Sequence, residues 1–253
     1  MRPFFDGRNL PKNPVPEYVA WVDVMGTQAR MSRSLEQTAN FVFKLHVAAI
    51  DAINAATDGG LSVYPVMDGL YASSTTQRIM LNFLRGMFKS LAEEFCATKQ
   101  ELYRFIVRGG LAFGPTVHGR SIPETASRQL ASKDWYRNSI LLGMPMVQAH
   151  LCESKASPFG IFVHESARAL APVNETPLHE LWWRWAEHED SLWTQVGTAL
   201  DKHLEWCEKR ALPIEYSEDR IKAHRGMAKQ YFMPLMDHDA VDQADHTAPQ
   251  RES

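Results

Sequence analysis

Two aspartates, Asp23 and Asp68, sit where this chain could do chemistry. Asp23 closes the run Tyr18-Val-Ala-Trp-Val-Asp, in which Val19, Trp21 and Val22 favour a strand. Gly26 follows, where a chain leaving a strand turns tightly and can bare its backbone N–H groups. Asp68 lies between the strand-like runs Leu61–Met67 and Leu70–Ser73, so Asp68-Gly69 reads as a two-residue hairpin turn. With that hairpin beside the first strand, the two carboxylates meet and could hold two divalent cations, an arrangement suited to in-line attack at phosphorus. Taken singly, each aspartate is ordinary turn chemistry. Pro65 lacks a ladder N–H, which places its strand at an edge or beside a bulge.

The elements that must position these groups follow from periodicity. Ser34-Leu-Glu-Gln37 matches a capping box, and Leu35, Val42, Leu45, Ala49 and Ile53 keep a helical period to about Ala56. Ile79 to Phe95 is a second amphipathic helix whose Met and Phe residues mark it as core. Leu102 to Ala112 reads as a strand, with Gly109 and Gly110 signalling a bulge or a close backbone approach. Ile122 to Trp135 has no period and reads as a long loop. Gly143 and Pro145 predict a turn into a helix, Phe159 to Val163 a strand, and Glu165 to Leu170 a short helix. Leu178 to Arg210 carries Trp182, Trp183, Trp185, Trp193 and Trp206 and predicts one or two amphipathic helices; Glu218 to Phe232 predicts another. The expected organisation is an irregular leader over 1–16, a catalytic domain over 17–172, a Trp-rich helical extension over 173–236 and a disordered tail over 237–253. The order strand, helix, hairpin, helix, strand is that of an α+β, ferredoxin-like βαββαβ core, an antiparallel sheet with helices on one face.

Composition excludes several classes. The 253 residues carry a formal net charge of -3, which gives no electrostatic case for nucleic acid or an anionic membrane as partner. Cys96, Cys152 and Cys207 are isolated and odd in number, which suits reduced thiols better than a disulfide framework or a zinc site. No apolar run is long enough to span a bilayer and the amino terminus lacks a signal-peptide core, so a cytoplasmic location is the default expectation.

Four stretches together carry a family resemblance. Val22-Asp23-Val24-Met25-Gly26 resembles the Asp-Ile-x-Gly that opens class III nucleotidyl cyclase domains, and Met67-Asp68-Gly69-Leu70-Tyr71 resembles their second metal-carboxylate hairpin. Arg108-Gly-Gly-Leu-Ala-Phe-Gly-Pro115 is similar to the family's Arg-x-Gly-Ile-x-x-Gly-Pro strand. Leu142-Gly-Met-Pro-Met-Val-Gln-Ala149 with Leu151-Cys-Glu153 is similar to its Gly-x-x-Val-Asn-x-Ala-Ala-Arg-Leu-Glu helix. The resemblance implies two Mg²⁺ or Mn²⁺ ions on Asp23, Asp68 and the Val24 carbonyl, and a triphosphate held by amides of Met25, Gly26, Thr27 and Gln28. It also implies a head-to-tail homodimer with shared active sites.

The departures from the family pattern narrow the expectation. The base-reading Lys or Glu of purine cyclases falls on Tyr64 and the second base reader on Ile140, while the helix Asn and Arg fall on Val147 and Leu151. A phenol beside an aliphatic chain fits a smaller base. This combination resembles the stand-alone pyrimidine cyclases of bacterial Pycsar anti-phage systems, which make cyclic UMP or cyclic CMP as an alarm signal. UTP, or else CTP, is the expected substrate, with Arg108, Arg137 or Arg120 as candidate transition-state cations. The competing readings are a non-catalytic nucleotide-binding or dimerisation module of the same fold and a purine nucleotide cyclase.

Overall fold

The computed structural model describes residues 14–56, 59–187, 190–210 and 216–233. Strand β1 (Val15–Val24) lies in the middle of a seven-stranded sheet. Helices α1 (Thr27–Met31) and α2 (Leu35–Ala55) follow, then the hairpin β2 (Leu61–Val66) and β3 (Gly69–Ser74), α3 (Gln77–Ala97) and β4 (Val107–His118). The strand order β2-β3-β1-β4, antiparallel throughout, is the ferredoxin-like arrangement the sequence order implies. Beyond this core come α4 (Arg128–Ala131), α5 (Asp134–Asn138), β5 (Leu141–Leu142), α6 (Met144–Glu153), β6 (Ile161–Val163), α7 (Glu165–Ala169) and β7 (Trp182–Trp183). Two long helices, α8 (Ser191–Glu208) and α9 (Glu218–Phe232), complete the described chain. Strand β6 extends the sheet parallel to β4, β7 pairs with β6, and β5 pairs with the end of β4.

Alternation along β1 divides the sheet into two faces. Tyr18, Ala20, Val22 and Val24 join Phe41 and Leu45 of α2 and Phe83, Met87 and Leu91 of α3 in the main core. The same core takes in Trp185, Trp193, Leu200 and Tyr231, so the Trp-rich extension packs onto the sheet domain. Val19, Trp21 and Asp23 point the other way, where α6 lies. The helix sits this close because alternate residues of β4 are small: Gly110, Ala112 and Gly114 pair with Trp21, Val19 and Glu17. A methyl added at Gly110 would come within 2.0 Å of the Ala149 carbonyl oxygen, so the paired glycines mark a close helix approach.

Several expected boundaries move. Val66 pairs with Gly69, so the hairpin loop is Met67-Asp68 and not Asp68-Gly69. Gly69 is held inside the ladder, where a methyl would lie 2.6 Å from the Trp21 ring. Met67 therefore carries the turn at φ 52°, a left-handed conformation that disfavours a side chain, and it is 81% exposed. Met67→Gly is expected to stabilise the protein by about 1 kcal/mol, read as a higher urea midpoint. The expected strand from Leu102 starts only at Val107, after a 3₁₀ turn over Glu101–Tyr103. The loop over 122–135 contains α4 and the start of α5. Among the described residues of the Trp-rich stretch only Ser191–Glu208 is α-helical; Trp182 and Trp183 instead form β7, and the Trp185 indole donates to the Phe159 carbonyl oxygen (2.8 Å). The leader to residue 13 and the tail from Asp237 lie outside the described residues, and β1 already begins at Val15.

Cys152 and Cys207 are buried and Cys96 is half-buried, all as free thiols. Among the described residues no helix is long and apolar enough to cross a membrane.

Candidate active site

The end of β1 and the tip of the β2–β3 hairpin come together as expected. Asp23 is the ladder partner of Gly69, next to Asp68 in the chain, and the Val24 N–H donates to the Asp68 carbonyl oxygen (3.3 Å). Thr27, buried at the start of α1, donates its hydroxyl to Asp68 Oδ2 and so orients that carboxylate. Asp23 Oδ1 is buried and has no hydrogen-bond partner among the described residues. Burial first, then the charges of Asp68 and Glu153, push the Asp23 carboxyl up to about 7, against a smaller opposing pull from Arg108. A carboxylate driven this far by burial and like charge is poised for a cation.

Of the backbone amides expected to face a triphosphate, that of Met25 is already engaged, donating to the Ile106 carbonyl oxygen (2.8 Å). Gly26 takes the left-handed conformation (φ 76°) as N-cap of α1, which turns the chain so that the Thr27 and Gln28 amides begin the helix without intrahelical acceptors.

Tyr64 is buried, and its hydroxyl meets Nδ1 of His118. His118 Nε2 in turn meets Glu17 Oε2 (2.8 Å), which also accepts from the Thr116 hydroxyl (2.7 Å). Burial alone would raise the Glu17 carboxyl, but bonds from His118 and Thr116 outweigh it and hold the group below the usual carboxylate range. An ionised Glu17 needs the proton on His118 Nε2, so in the neutral imidazole Nδ1 accepts from the Tyr64 hydroxyl. Burial also pushes the Tyr64 phenol up. Ile140 is half-buried, and its carbonyl oxygen accepts from the Gly119 N–H (2.8 Å).

The candidate cations are differently placed. Arg108 is buried and cross-strand to Asp23, but its guanidinium is committed to Glu153 of α6 and lies 3.4 Å from His224 of α9. Arg137 pairs with Asp134 in its own helix (2.6 Å), and its buried Nε has no hydrogen-bond partner among the described residues. Arg120 donates to the Ser62 hydroxyl (3.0 Å). Where the family helix carries Asn and Arg, Val147 and Leu151 are 50% and 63% exposed and, with Met144, form an apolar stripe along α6.

Glu17, His118 and His224 had no local signal in the sequence, since each acquires its partner from across the fold. Glu153 was visible only as the last residue of the fourth motif. Among the described residues no group of three or more His, Cys, Asp and Glu side chains is arranged to hold a metal. A cation on Asp23 and Asp68 would therefore draw its other ligands from water, a carbonyl such as that of Val24, or phosphate oxygens. The donor set is hard oxygen, which suits Mg²⁺ or Mn²⁺.

No family model matches the chain, and no curated protein matches it. Solved structures similar to it include the guanylyl cyclase domain of the RhoGC fusion protein from the aquatic fungus Blastocladiella emersonii. That match has 17% identity and a TM-score of 0.44, and covers 61% of this chain and 84% of that one. The guanylate cyclase domain of RhGC from Catenaria anguillulae, solved with GTP, matches at 16% identity and a TM-score of 0.43, over 62% and 81% of the two chains. Adenylate cyclases of Trypanosoma brucei match at 13% identity and a TM-score of 0.43, over 66% and 80%. Likenesses at this level assign no activity to the chain.

Proposed function

We propose that this chain is a pyrimidine nucleotide cyclase, converting UTP, with CTP as the alternative, to the 3′,5′-cyclic monophosphate and pyrophosphate, as a signal in antiviral defence. The observation that carries the reading is the meeting of Asp23 and Asp68 at one strand end, with a buried carboxylate oxygen of Asp23 left unpartnered. An inactive domain has no need to hold two like charges together.

Asp23 and Asp68 are the residues that would hold the cations, with the Val24 carbonyl beside them. A pair of divalent cations held there would supply the charge that activates the ribose 3′-hydroxyl and stabilises departing pyrophosphate. Thr27 holds Asp68 in place, and the amides of Thr27 and Gln28 face the phosphates. Asp23 gives up its proton on cation binding, so binding tightens as pH rises through about 7 and releases a proton below it. Tyr64 acts as a wall, its hydroxyl already engaged by His118, so it narrows the base pocket without presenting a charge. Ile140 is its aliphatic counterpart. The stripe of Met144, Val147 and Leu151 is the face for a second copy, which completes each site as a homodimer.

The second reading, a non-catalytic nucleotide-binding module, is favoured by two observations: Arg108 is tied to Glu153, and two aliphatic residues replace the helix Asn and Arg. The deciding experiment incubates purified protein with Mn²⁺ and each of the four nucleoside triphosphates. A cyclic pyrimidine monophosphate with pyrophosphate is expected, and Asp68→Ala is expected to cut its formation at least about a thousandfold, or about 4 kcal/mol in the barrier. A purine product overturns the specificity, and absence of any product across metals favours the binding module.

A further inference from the structure

The C-terminal helix reaches back to the carboxylate pair through one side chain. We infer that His224 of α9 is a positioning residue for the site: it accepts a hydrogen bond from Arg108 and, together with Glu153, keeps that guanidinium from closing onto Asp23. The inference rests on the reading of Asp23 and Asp68 as cation ligands, and gives the C-terminal helix a task within it.

Arg108 stands cross-strand to Asp23, and the Asp23 carboxyl feels the charges of Asp68 and Glu153 on one side and of the Arg108 guanidinium on the other. Which carboxylate Arg108 serves decides whether the pair is open to a cation. Its Nε donates to Glu153 and its Nη1 lies 3.4 Å from His224 Nε2. A guanidinium has only donors, so His224 Nε2 accepts and the imidazole proton sits on Nδ1, which faces the Tyr216 hydroxyl. Burial, then the charges of Arg108 and Arg220, push His224 down to about 4, so it is neutral around pH 7 and able to accept. The clamp is anchored: His224 is buried between Ile221 and Ala228, and the Tyr231 hydroxyl at the end of α9 donates to the Trp183 carbonyl oxygen (2.8 Å). Without His224, Arg108 loses one of its two holds and gains reach toward Asp23, where a bound cation would have to displace it.

The test is calorimetric titration of the full chain with Mn²⁺ and no nucleotide, with melting temperature as the check on folding. His224→Phe keeps a planar ring but accepts no hydrogen bond, and is expected to bind Mn²⁺ about tenfold more weakly or worse, the effect of removing a partner just outside a metal's ligands. His224→Gln restores an acceptor and is expected to return most of the affinity. A folded His224→Phe protein that binds Mn²⁺ like the wild type overturns the inference. If that variant fails to fold, Tyr216→Phe decides: it removes the acceptor that fixes the His224 proton, and weaker Mn²⁺ binding supports the clamp whereas unchanged binding overturns it. A wild-type chain that binds no Mn²⁺ sinks the cation site itself, a result distinct from either of these.

Discussion

Asp23→Asn is expected to make the metal-free protein more stable above pH 7 while abolishing its turnover. The folded Asp23 carboxyl is raised to about 7 from an ordinary 3.8. Between those values the folded state binds the proton and the unfolded state does not, so stability falls as pH rises through that window. The penalty is complete above about 7 and absent below about 4; its upper limit is about 4 kcal/mol. An asparagine keeps the shape, carries no charge and escapes the penalty. Thermal melts at pH 8 should therefore show the variant about 5 °C or more above the wild type, with the gap closing toward pH 4. Added Mn²⁺ should raise the melting point of the wild type only, because it binds the folded state through the carboxylate that the variant lacks. Equal melting points at pH 8 would mean that Asp23 is neither desolvated nor crowded by Asp68 and Glu153.

Gly110→Ala is expected to cost more stability than any other single methyl in the sheet. The added carbon would lie 2.0 Å from the Ala149 carbonyl oxygen and 3.0 Å from Cys152 Cβ, and the first is backbone that no rotamer change can clear. Either α6 lifts from the sheet or β4 bends away, and a loss of at least about 3 kcal/mol follows. Lifting α6 also pulls Glu153 from Arg108 and His150 from the Trp21 ring, whose centroids are 5.4 Å apart. Urea unfolding measures the first effect, and a changed near-ultraviolet signal reports the second. Gly226 of α9 is the control, since a methyl there meets nothing within 4 Å. Alanine at that helical position should be neutral or stabilising by up to about 1 kcal/mol.

Much of the scaffold was legible from periodicity. Strand β1, both long helices of the core and α9 announce themselves through alternating or helical patterns of large apolar residues, and the four-strand order follows from their sequence. Asp-Gly is so strong a local turn signal that it predicts the hairpin one residue out of register. What overrides it is the Trp21 ring lying over Gly69, a contact between strands that no local pattern carries. The spacing of the tryptophans predicts helix over residues 182–185 too, yet Trp182 and Trp183 pair with β6 and the Trp185 indole donates to the Phe159 carbonyl oxygen. The carboxylate pair is legible because Asp23 lies at the end of a strand and Asp68 in a hairpin turn. The partners that hold Tyr64 and Arg108 are not: His118, which meets Tyr64, finds Glu17 101 positions away, and Arg108 finds His224 116 positions away.

The three thiols described with the fold bear on how the protein meets oxidants. Burial pushes the Cys207 thiol up to about 12 and raises those of Cys96 and Cys152 as well. Peroxide and alkylating reagents react with the thiolate, and at neutral pH these side chains offer almost none. Oxidants and alkylating reagents that need a thiolate therefore find little to react with at these three cysteines.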